Sequence, residues 1–151
     1  MTLDDRYVPQ GIQEIDREHV RLLESLRRLM RMAAGDVPVE ATVAGMRTLI
    51  EDVGRHFADE ERLMRSIDYK DAPRHKDAHR RFLELSLRKC ALMRESDDVV
   101  EWISKAAHWF HEHHLDEDLS LSLALANKRC GASASNLPIN AIGHAGNARS
   151  P

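Results

Sequence analysis

"HFADEERLM" (residues 56–64) places a histidine and a glutamate four positions apart, His56 and Glu60, in a segment whose flanks repeat apolar residues at helical steps. Val39, Val43, Met46, Ile50 and Val53 lead into it, and Met64 follows. The whole reads as one amphipathic helix from about Pro38 to Ser66. Residues four apart stand one above the other on a helix. His56 and Glu60 therefore fall on the side that should meet a core, with Phe57 beside them. A carboxylate there needs a partner, because burying an unpaired charge is expensive. Glu61, off the inward face, reads as a solvated residue.

Three more helices surround this one. The first runs from about Ile12 to Ala33, with Ile15, His19, Leu22, Leu23, Leu26 and Met30 on one face. "AGDVP" (34–38) ends it, with Gly35 as a stop and Pro38 for the next first turn. The third starts near Pro73, with Asp71 as a cap, and reaches about Arg94 through His75, His79, Phe82, Ser86, Cys90 and Met93. "ESDD" (95–98) caps a fourth, whose inward face carries Val99, Ile103, Ala106, Phe110, His113 or His114, and Leu121. No segment alternates long enough for a strand. Short connections make successive helices antiparallel, so the expected fold is an all-α, up-down-up-down four-helix bundle over residues 1–130. Residues 131–151, rich in Gly, Ala, Ser and Asn, read as a disordered tail containing His144.

The net charge of −3 gives no basic footprint for nucleic acid. No apolar run is long enough to span a membrane, and the first residues lack the pattern of a signal peptide. A cytoplasmic monomer is the expectation. Cys90 and Cys130 cannot form a cysteine framework or a zinc ribbon; Cys90 falls in an apolar pattern as a small core residue. Histidine is the unusual residue, with nine in the chain.

Every helix aims histidine inward. A single inward histidine is ordinarily a hydrogen-bonded core residue, and one H-x-x-x-E or H-x-x-x-H arises on helices by chance. Four helices doing so together would leave several desolvated polar groups without partners, and a bound cation satisfies them jointly. Thiolates are absent from the set, which argues against structural zinc; calcium and magnesium prefer oxygen. Five or more imidazoles with two carboxylates exceed what one zinc needs. Two redox-active metals joined by bridging carboxylates use that number well, iron foremost.

With these segments in view the sequence resembles the hemerythrins, most closely the bacterial single-domain forms. The segments are "GIQEIDREHVRLL" (11–23), "HFADEERLM" (56–64), "HKDAHRRF" (75–82) and "WFHEHHLDED" (109–118), in the family's order. The resemblance implies a di-iron ligand set of His19, His56, Glu60, His75, His79, His113 and Asp118. It implies three histidines on one iron and two on the other, with both carboxylates and an oxo or hydroxo group bridging. Five nitrogens, four carboxylate oxygens and two bonds from the single-atom bridge fill eleven of twelve octahedral positions. Dioxygen would bind reversibly at the remaining one as hydroperoxide. Leu22, Phe57, Trp109, Phe110 and His114 would border that position, although plain core packing explains the apolar four equally well.

The chain departs from the family in three places. An aliphatic residue ordinarily follows the fourth-helix histidine, and here it is His114, which either enters the oxygen pocket or faces an interhelical surface. The spacing of His113 and Asp118 is awkward too. Five residues turn a regular helix through about 500°, which leaves their side chains roughly 140° apart. That pair needs a local distortion such as a π-bulge, whereas His113 with Glu117 or His114 with Asp118 would fit a straight helix. Finally, only Tyr7 stands near where the family carries an N-terminal tryptophan. Reversible dioxygen binding is the leading expectation. The alternatives are an oxygen or redox sensor signalling to an unknown protein partner, and a di-iron enzyme for peroxide or nitric oxide chemistry or iron repair.

Overall fold

The apolar stripes require each helix to bury one face against the others. The computed structural model, which describes residues 12–134, shows how they do so. Helix α1 spans Gln13–Ala33, α2 Val39–Ser66, α3 Ala72–Leu92 and α4 Ser96–His113. The chain then passes without a break through a π-helical turn, His114–Asp118, into α5, Leu119–Ala134. The result is a four-helix bundle with α4, the π-turn and α5 as its last member, and there is no strand among the described residues. Helix α5 continues to Ala134, beyond the limit expected for the bundle. The N-terminal arm with Tyr7 and the tail with His144 lie outside the described residues.

The helix ends follow local chemistry. Pro38 precedes α2, and a proline occupies the first turn of α3, where no backbone donor is needed. Asp71 sits at the α3 boundary, but its side chain makes no capping hydrogen bond. At α4 the cap is complete. Glu95 and Asp98 form a reciprocal capping box, and the Asp98 carboxylate accepts the Glu95 and Arg94 backbone N–H groups at 3.2 and 3.0 Å.

The interior is layered. A large apolar core holds Leu26, Met46, Leu49, Val53, Val99 and Ile103 among others, each at most 2% exposed. A smaller one at the opposite end packs Met64, Leu121 and Leu125, with Leu63, Ile67 and Tyr69 against them. Phe82 of α3 stacks on Trp109 of α4 at 4.3 Å, joining those helices through rings. Ser86, the polar residue on the inward face of α3, accepts the Trp102 indole N–H at 3.3 Å, and Cys90 is buried as a core residue. Between the two apolar cores lies a slab of histidine and carboxylate. No helix among the described residues is long and apolar enough to cross a membrane.

Candidate metal centre

The polar slab assembles because each helix carries its histidines where its apolar stripe is interrupted. Helix α1 supplies His19, α2 His56 and Glu60, α3 His75 and His79, and the last helix His113, His114 and Asp118. All eight are buried, with Glu60, His75 and His79 at 1% exposure or less. The i,i+4 pairs project from one side of their helices, as their spacing requires. His113 and Asp118 converge because the helix becomes π-helical from His114 to Asp118, absorbing the extra residue in their spacing.

Two groups of nitrogens form. His113 Nε2 lies 3.0 Å from both His75 Nε2 and His79 Nε2, while His19 Nε2 and His56 Nε2 lie 3.0 Å apart. The carboxylates stand between these groups and divide their oxygens. Glu60 Oε2 faces His79 and His75 at 3.2 and 3.7 Å, and its Oε1 faces His56 and His19 at 3.4 and 3.8 Å. Asp118 Oδ1 faces His75 and His113 at 3.1 and 3.2 Å, and its Oδ2 faces His19 at 3.7 Å. Each carboxylate thus serves both sides.

The electrostatics suit a cation. Burial, reinforced by His56, lowers the pKa of His19 to about 3; burial with His113 and His75 lowers that of His79 to about 2. Both rings therefore stay neutral and keep a lone pair for a metal. Burial, with Asp118 close by, raises the Glu60 carboxyl well above its ordinary value. Burial also works to raise Asp118, but the His113, His114 and His75 rings outweigh it and hold that carboxyl well below the usual range. Neither oxygen of Glu60 completes a hydrogen bond with the described residues, although both are fully enclosed. Such orphaned acceptors need an explanation.

A cation provides one. Two metal–nitrogen bonds of about 2.1 Å at right angles put the nitrogens about 3.0 Å apart, the spacing found here three times. The donor set of imidazole and carboxylate without thiolate matches a borderline transition metal rather than calcium or magnesium. Three donor groups can each close on an ion: Glu60, His75, His79, His113 and Asp118; His19, His56 and Glu60; and His19, His114 and Asp118.

The surroundings hold one residue the sequence did not single out, Glu18. Glu18 Oε2 lies 2.9 Å from His56 Nδ1 and accepts its proton; that hydrogen bond lowers the Glu18 pKa. Glu61 is not merely solvated. Its Oε1 stands 3.5 Å from His79 Nδ1 and its Oε2 3.4 Å from Lys76 Nζ, because it lies on the flank where α2 meets α3. Glu117 turns away from the centre to pair with Arg74 at 2.6 Å, leaving Asp118 as the inward carboxylate. Phe57 stacks on His79 at 3.8 Å and Trp109 on His113 at 4.4 Å, so both wall the three-imidazole side. Leu22 is buried in the large core, and Phe110 packs against it beside Phe57. His114 points inward rather than to the surface.

A helix bundle that gathers imidazole and carboxylate from every helix into its core defines a class of cation-binding proteins. Residues 10–123 match the family model described as Hemerythrin HHE cation binding domain, well over half of the sequence, and the chain belongs to that family. Among similar proteins, the Bacteriohemerythrin of Campylobacter jejuni is 29% identical over 83 residues, 55% of this chain and 62% of that protein. The Myohemerythrin of Theromyzon tessulatum is 36% identical over 72 residues, 48% of this chain and 54% of that one. The matched stretch thus spans less than two thirds of either relative's length.

Proposed function

We propose that the chain is an iron-dependent, reversible dioxygen-binding protein. One iron would be held by His75, His79 and His113 and the other by His19 and His56, with Glu60 and Asp118 offering one oxygen to each. The observation that carries this reading is the division of the carboxylate oxygens, one from each carboxylate toward each group of imidazoles. The names of the relatives and the family support it. When bound, iron in the ferrous state would supply the reducing electrons that reversible dioxygen binding requires.

The residues of the chain prepare for that exchange. Glu18 fixes the proton of His56 on Nδ1, which leaves the Nε2 lone pair aimed at the centre. Burial keeps His19 and His79 unprotonated at neutral pH, so protons do not compete for their nitrogens. Phe57 and Trp109 cover the His79 and His113 rings and exclude water there. Leu22 and Phe110 extend that apolar wall, and with His114 these residues form the proposed oxygen pocket. In the test, purified protein carries two irons per chain. The reduced form, given air, develops a visible charge-transfer band that fades when oxygen is removed; oxidation without a reversible band would sink the carrier reading.

A further inference from the structure

His114 is the imidazole that a seven-ligand centre leaves without a task, and it is buried beside the ligand it follows. On a regular helix adjacent residues splay by about 100°. Here His113 and His114 are both buried, at 6% and 8% exposure. His114 Nδ1 stands 3.7 Å from Asp118 Oδ2, the same separation at which His19 Nε2 meets that oxygen. The His19 and His114 rings lie edge to face with centroids 4.8 Å apart. Ring pairs within the three-imidazole group span 4.5 to 4.9 Å. By ring separation His114 thus stands to His19 as those rings stand to one another.

The geometry points to His114 as the third nitrogen ligand of the iron held by His19 and His56. This rests on the di-iron reading given above. Six imidazole nitrogens, four carboxylate oxygens and two bonds from the single-atom bridge fill all twelve positions of two octahedra. The chain itself then occupies the place of an exogenous ligand. An incoming ligand displaces His114: the iron–nitrogen bond breaks as the new bond forms, the imidazole keeps its electron pair, and no electron is transferred. His114 is a displaceable stopper that sets how tightly and how fast small ligands enter.

Azide binding to the oxidised, iron-loaded protein tests this. Replacing His114 by Ala removes the internal competitor, so azide affinity rises at least about tenfold. Unchanged or weaker affinity would overturn the proposal, because a histidine that only orients Asp118 or donates a hydrogen bond to the guest gives that result. A second measurement needs no variant. Six-coordinate cobalt(II) absorbs weakly in the visible, and five-coordinate cobalt(II) several-fold more strongly. The wild-type protein loaded with cobalt(II) shows only weak bands if His114 is bound; five-coordinate intensity overturns the assignment. Metal analysis separates the two readings. Fewer than two ions per chain overturns the di-iron centre and this inference together, whereas two ions with unchanged azide affinity overturns the role of His114 alone.

Discussion

At Glu60, stability and binding pull in opposite directions. Its carboxyl is 1% exposed, and burial beside Asp118 raises its pKa. A raised carboxyl pKa means that the folded state holds the proton more tightly than the unfolded one, so ionisation at neutral pH works against the metal-free fold. Glu60→Gln should therefore stabilise the metal-free protein at pH 7 by about 1–3 kcal/mol, the usual penalty of a buried group without a partner. The same change should reduce metal loading. Chemical denaturation of chelated samples checks the first outcome and metal analysis the second. Glu18 acts one step further out, through the proton on His56 Nδ1. Glu18→Gln should weaken metal affinity about 10–100-fold, and it should also cost the metal-free protein some stability at pH 7, since a lowered carboxyl pKa means that the ionised group favours the fold. Competition with a coloured chelator measures the affinity.

At the scale of elements, the π-turn is where backbone geometry and site chemistry meet. Its hydrogen bonds reach five residues instead of four, a poor arrangement that persists because it turns both His113 and Asp118 inward. Amides of His114–Asp118 should therefore exchange with deuterium much faster than those of α4 in metal-free protein, and slow strongly once metal binds. Equal rates in both forms would show that the turn is held by packing alone. Much of this was readable beforehand. H-x-x-x-E and H-x-x-x-H on apolar stripes place their side chains on one face by helical geometry alone, and the five-residue step from His113 to Asp118 already demanded a distortion. Glu18 and Glu61 escaped because each lies at the flank of its stripe, where orientation depends on how the neighbouring helix packs. The end of α5 escaped for a different reason. Gly131, Ser133 and their neighbours carry no amphipathic signal, so composition suggested a tail where the helix continues.

For the whole molecule, acid is the sharpest probe. His19 and His79 titrate near 3 and 2 when folded against about 6.5 when unfolded, so the unfolded chain binds more protons at every pH between. The metal-free protein is at its best above pH 6.5 in this respect. It loses stability as pH falls below that value, by roughly 2 kcal/mol per histidine at pH 5. Glu60 opposes the loss, since it takes up a proton more readily folded than unfolded. Thermal melts of chelated samples from pH 7.5 to 5 should thus fall, and fall more steeply for Glu60→Gln. Bound metal should raise the melting temperature throughout, by mass action. The layered interior adds something of a different kind. The large core can close on its own, but Met64, Leu121 and Leu125 make a small one, joined to it only across a layer of like-charged or lone-pair-bearing groups. Without an ion, that layer transmits little cooperativity from one end of the bundle to the other. With ions in place, all four helices would be cross-linked at the polar layer and the two ends should melt as one. Metal supply in the surrounding medium thereby becomes a variable that decides whether this chain behaves as one folding unit or two.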